Sequence, residues 1–105
     1  MSEPVQIDDV GVTRRLDNGE VEHVRWDALH QVAIVTTDEG PVAEDVFFVL
    51  EAIDGTGCVI SQEAAHRVGL LERLQRLPGF DNAQLIDAMG STGHARFVVW
   101  RTPTA

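Results

Sequence analysis

The chain has 105 residues, 44% of them apolar, enough for one domain that buries about two thirds of its unfolded surface without metal or disulfide staples. It carries no lysine, eight arginines and seventeen acids, a net charge of −9, which argues against nucleic-acid or anionic-membrane binding, since both need clustered basic side chains. The single cysteine, Cys58, has no partner within the chain, which points to a reducing cytoplasm. No apolar run reaches the ~18 residues of a membrane helix, and the first ten residues lack the basic start and apolar stretch of a signal peptide.

Residues 1–9 contain Pro4 and little periodicity and read as a loose arm, with Val5 and Ile7 as its anchor points. Two strand-like runs follow, 10–16 and 20–26, joined through Asp17-Asn18-Gly19. Asn-Gly favours a two-residue type I′ turn with positive φ at both positions. That turn would set Leu16 opposite Val21 and Arg15 opposite Glu22, with Gly11 facing Trp26. In this register Arg14 and Arg25 share a face with Val12, Leu16 and Val21, so the inward face stays open.

Trp26-Asp27-Ala28-Leu29-His30 reads as a bend or helical turn, 31–37 as a third strand, and Asp38-Glu39-Gly40-Pro41 as a turn. Residues 44–53, centred on Val46-Phe47-Phe48-Val49-Leu50, are apolar at both parities, the pattern of a central strand covered on both faces. Asp54-Gly55-Thr56-Gly57 turns the chain into a short strand, 58–60. Strand on either side of these glycines excludes a phosphate loop, which needs a helix N-terminus.

At Ser61, a helix N-cap, the period changes to that of a helix over 62–77, ended by Pro78-Gly79. Val68, Leu70, Leu71, Leu74 and Leu77 fill one arc of its wheel, and Glu63–Arg67 and Glu72–Arg76 are acid-before-base pairs at i,i+4. Arg67 lies within the apolar arc, either overhanging the sheet edge or partly buried in a pair with Glu63. Asp81 with Gln84 resembles a capping box for a short helix over 82–89. Residues 91–94 are a loop, 95–101 a last strand and 102–105 a tail.

The expected fold is α+β: a single domain over 10–101, with a bent antiparallel sheet of five or six strands packed against the C-terminal helix and a second short helix.

Functional signals are sparse. Cys58 sits in an apolar strand with no local signature tying it to His23, His30, His66 or His94, and reads as a buried structural thiol. No histidine pair has the helical spacing of a zinc site, and the acid pairs lack the alternation of a calcium loop, so no metal or cofactor is expected. Trp26 and Trp100 read as core or half-core residues. The first sixty residues carry a charge of −10 and the remainder +1. Between Arg25 and Arg67 eight acids fall and no arginine, and Asp38, Glu39, Glu44 and Asp45 flank Gly40-Pro41. These four are the candidate partner-binding residues.

The hairpin, the step Val24-Arg25-Trp26-Asp27-Ala28-Leu29, the further strands and the long helix together resemble small bacterial pleckstrin-homology-like domains. The resemblance covers 10–77 and departs at the second helix and last strand. It lacks the basic pocket with which lipid-binding members hold phosphoinositides, and implies a scaffold for protein interaction rather than for lipid. The function expected is a small acidic, non-enzymatic interaction module, one version of which masks a basic protein. The alternative is an enzyme using Cys58 with a spatially adjacent histidine. A ligand site between sheet and helix, or a structural subunit, completes the set.

Overall fold

The computed structural model describes residues 5–37, 46–90 and 93–102. Within them the chain forms β1 (Val5–Ile7), β2 (Gly11–Arg15), β3 (Val21–Arg25), a 3-10 turn (Trp26–Ala28), β4 (Leu29–Thr36), β5 (Val46–Ala52), β6 (Gly57–Ser61), α1 (Gln62–Val68), α2 (Leu70–Leu74), α3 (Asn82–Met89) and β7 (Ala95–Arg101). The class is α+β. The strands form two antiparallel sheets, β1-β2-β3 and β6-β5-β4-β7, rather than one sheet of five or six. The break falls at the 3-10 turn: after it, Leu29 restarts extended chain and β4 takes β5 and β7 as its partners, leaving β3 to lie against β6 without a ladder.

The β2–β3 hairpin is where sequence reading and structure differ by one residue. Arg15 pairs with Val21, Arg14 with Glu22, Val12 with Val24 and Gly11 with Arg25. The Leu16 N–H donates to the Glu20 carbonyl at 2.8 Å, and the Gly19 N–H donates to the Leu16 carbonyl at 3.0 Å. Asp17-Asn18-Gly19 is therefore a three-residue loop whose last position is left-handed. Gly19 has φ of 90°, while no non-glycine residue among those described has positive φ. Asn-Gly serves both turn types, because in the longer one only the glycine needs positive φ. The one-residue shift exchanges the faces of β3. Val24 joins Val12 in the core, and Val21 turns outward, 59% exposed.

The second hairpin repeats the construction. Ala52 N–H donates to the Thr56 carbonyl, Gly55 N–H to the Ala52 carbonyl, and Gly55 has φ of 89°. Asn18 Oδ1 accepts the Glu20 N–H in one loop and Asp54 Oδ1 accepts the Thr56 N–H in the other.

The N-terminal arm is anchored through a strand: Val5 pairs with Arg14 and Ile7 with Val12, and Val5 is buried. β5 runs between β4 and β6, as expected of a central strand, but it is covered fully on one face only. Phe48, Leu50 and Ala52 are buried, whereas Phe47, Val49 and Glu51 are half-buried.

The helix expected over 62–77 is two helices. Gly69 has φ of 70°, and its N–H closes α1 on the Ala65 and His66 carbonyls before α2 begins. A left-handed residue ends an α-helix, and glycine reaches that region without a Cβ penalty. The Ser61 side chain accepts the Ala64 N–H, and the Asp81 side chain accepts the Gln84 N–H, so both caps sit where the sequence puts them. Leu70 and Leu74 insert fully into one core with Val12, Val24, Ile60 and Val99, joining both sheets to the helices. Truncation of such a leucine to alanine costs about 2–5 kcal/mol. No helix among the described residues is long and apolar enough to cross a membrane.

Candidate functional site

β6 carries Cys58 opposite Leu50, with the thiol turned into the core and the residue 1% exposed. Burial pushes the Cys58 thiol up to about 11, the Glu22 carboxylate adds to the rise, and the Arg14 guanidinium opposes it. A thiol held this far above neutrality carries little thiolate, the form that attacks an electrophile. His23 lies on the opposite face of the β2–β3 hairpin from Arg14 and Glu22, where its Nδ1 meets Thr13 Oγ1 at 2.8 Å. His30, His66 and His94 are exposed. Among the described residues no group of three or more histidine, cysteine, aspartate or glutamate side chains could hold a metal ion.

The tryptophans stay apart, and each spends its indole N–H on a backbone carbonyl. Trp100 is buried, with Nε1 donating to the Pro78 carbonyl at 2.8 Å. Trp26 is half-buried, with Nε1 donating to the Asp8 carbonyl at 2.7 Å. The Arg73 guanidinium lies 4.3 Å from the Trp26 ring centroid, so the indole ties α2 to the three-stranded sheet. The Asp8 carboxylate accepts the N–H groups of Val10 and Gly11, and these two bonds hold its pKa below the usual value.

Four of the eight arginines are engaged with acids of the same chain. Arg14 pairs with Glu22 at 2.9 Å, Arg25 with Asp27 at 3.0 Å, Arg96 with Glu51 at 3.0 Å, and Arg67 with Glu63. Arg67 is paired with Glu63 as in one of the two expected arrangements, but the pair is exposed rather than partly buried. Glu72 and Arg76 make no ion pair among the described residues, and it is Arg73 that finds a partner, on Trp26.

Asp38, Glu39, Glu44 and Asp45 lie outside the described residues. The chain leaves β4 beside Thr36 and enters β5 at Val46, and these two residues are cross-strand partners. The acidic segment therefore joins neighbouring strand ends on the four-stranded sheet.

Sequence reading missed one feature, a cavity of about 320 Å³ where the end of β2 passes β6 and the first turn of α1. Arg14, Arg15 and Asp17 line it together with Leu16, Phe47 and Val59. The only signal in the sequence is the Arg14-Arg15 pair. What brings the apolar walls to it is long-range packing.

In comparisons with known proteins, no family model, no curated protein and no solved structure matches this chain.

Proposed function

We propose that the chain is a small, non-enzymatic interaction module that docks a basic protein partner through its acidic sheet half. The observation that carries this reading is the disposition of charge. Seventeen acids face eight arginines. Four of those arginines are tied to acids in the ion pairs above. Each pair cancels one arginine with one acid, which leaves thirteen acids against four arginines and the same excess of nine negative charges, so the acids dominate what an approaching partner meets. Asp38, Glu39, Glu44 and Asp45 are the proposed docking residues, in a stretch from Trp26 to His66 without an arginine or lysine. The proposal places the module in a reducing cytoplasm and gives it no nucleic-acid or membrane partner. It takes up the pleckstrin-homology-like resemblance as a protein-interaction scaffold. The burial and raised pKa of Cys58 weigh against the enzyme alternative.

The test is a titration of the 15N-labelled protein with an arginine-rich peptide and with a glutamate-rich peptide of equal length. The reading expects saturable shifts over one contiguous surface that includes residues 38–45, with the basic peptide alone. Equal response to both peptides, or shifts centred on α3, overturns it.

A further inference from the structure

We propose that the cavity between β2, β6 and α1 binds a small monocarboxylate with an apolar body. The carboxylate would sit on Arg14, with Arg15 as a second cation at the rim and the apolar part against Leu16, Phe47 and Val59. This inference does not depend on the acidic docking surface.

The charged groups of the lining set the ligand class. Among the described residues Arg14 and Arg15 contribute two guanidinium groups and Asp17 one carboxylate. Arg14 is already paired with Glu22, which lies outside the lining, so Arg15 and the unused N–H groups of Arg14 are what a ligand meets, beside Asp17. One carboxylate can accept from both guanidinium groups, whereas a phosphate dianion would set a second negative charge against Asp17 and Glu22, at a cost that grows as water is excluded.

The geometry of Arg14 suits the role. Its Nη1 donates to Glu22 Oε1 at 2.9 Å, and Glu22 does not line the cavity. The pair fixes the guanidinium from one side, and its other N–H groups remain for a planar acceptor. Arginine's fork of donors matches a carboxylate in two parallel bonds, which fixes orientation as well as affinity. Arg15 is exposed and makes no ion pair among the described residues.

Size and polarity set the rest. A volume of about 320 Å³ is at the lower end for small-molecule sites. Leu16, Phe47 and Val59 give it an apolar wall. Val59 is 41% exposed, an aliphatic side chain that a ligand would cover.

The test uses 3-phenylpropionate as probe and its neutral amide as control, followed by 15N chemical shifts of the intact protein. The inference expects saturable shifts at Arg15, Leu16, Val59 and Ser61 with the acid, and at least tenfold weaker binding of the amide, about the worth of one charge-assisted hydrogen-bonded pair. Inorganic phosphate should compete poorly. Arg14→Gln would strand Glu22 near the core and could disturb folding, so the decisive variants are at exposed positions. Arg15→Gln should weaken binding several-fold, and Val59→Glu should abolish it while the remaining spectrum is unchanged. Equal binding of acid and amide, displacement by phosphate, no response at these amides, or full binding by both variants overturns the inference.

Discussion

Arg14 and Glu22 stand directly opposite one another in the β2–β3 ladder, joined Nη1 to Oε1 at 2.9 Å, on the same face of the hairpin as the buried pair Val12 and Val24. Their charges reach the buried thiol of Cys58 with opposite signs. The one ion pair thus marks the register of the hairpin, borders the core, and supplies a cation to the cavity beside β6.

The turn that fixes this register is asymmetric, and its last two residues, Asn18 and Gly19, should respond differently to alanine. Gly19 has φ of 90°, so Gly19→Ala should cost about 1–2 kcal/mol. Asn18 has no positive φ, so Asn18→Ala should cost less, chiefly through loss of the bond its Oδ1 accepts from the Glu20 N–H. Urea midpoints of the two variants measure the difference. Equal costs would return the hairpin to a type I′ turn and the other register.

Gly11 is needed for a close approach rather than for its φ. A Cβ there would come within 2.1 Å of the Val24 carbonyl oxygen, a backbone atom of the neighbouring strand. Gly11→Ala should therefore destabilise the protein by more than ~1 kcal/mol by pushing β2 off β3. Thermal unfolding of this variant beside Gly93→Ala, where a Cβ meets open space, provides the comparison.

Cys58 gives a pH dependence whose sign is fixed. Its folded pKa of about 11 lies above the ordinary thiol value, so the folded state holds its proton more tightly than the unfolded chain. The associated stability is fully present below the unfolded pKa and is lost as pH rises through 11, to the extent of roughly 3 kcal/mol. Denaturation midpoints between pH 8 and 11 should fall more steeply for this protein than for Cys58→Ala. Native thiol labelling at neutral pH should be slow, and Glu22→Gln should lower the thiol pKa because it removes a like charge. Stoichiometric labelling within seconds would revive Cys58 as a nucleophile.

Local signals in the sequence translated well into structure. Ser61 and Asp81 cap the helices they precede, and Asp54-Gly55 and Asn18-Gly19 make hairpins, because each depends on side chains within a few residues. Three features were not legible for the same reason in reverse. An Asn-Gly step is compatible with two loop lengths, so the register needed the burial of Val12 with Val24 to decide it. Gly69 sits in a periodic apolar arc that continues across it, and only its left-handed backbone divides the helix. The insertion of β7 beside β4 pairs residues some sixty apart, such as Thr36 with Ala95, and no local pattern encodes that choice. The Arg14-Arg15 step was visible as the one basic pair, but its cavity arises from the same long-range packing. Asp38, Glu39, Glu44 and Asp45 fall outside the described residues and rest on charge alone.

The central claim concerns those acids, and the association rate of a fluorescent arginine-rich peptide tests it most directly. Electrostatic docking acts mainly on the association rate and is screened over a Debye length of about 8 Å at physiological salt. The native protein should associate several-fold more slowly as salt rises from low to physiological values. The variant carrying Asp38→Asn, Glu39→Gln, Glu44→Gln and Asp45→Asn should associate several-fold more slowly at low salt, lose most of the salt dependence, and unfold at an unchanged midpoint. A rate that is indifferent to salt, or identical in the native and variant proteins, would contradict docking through the acidic segment.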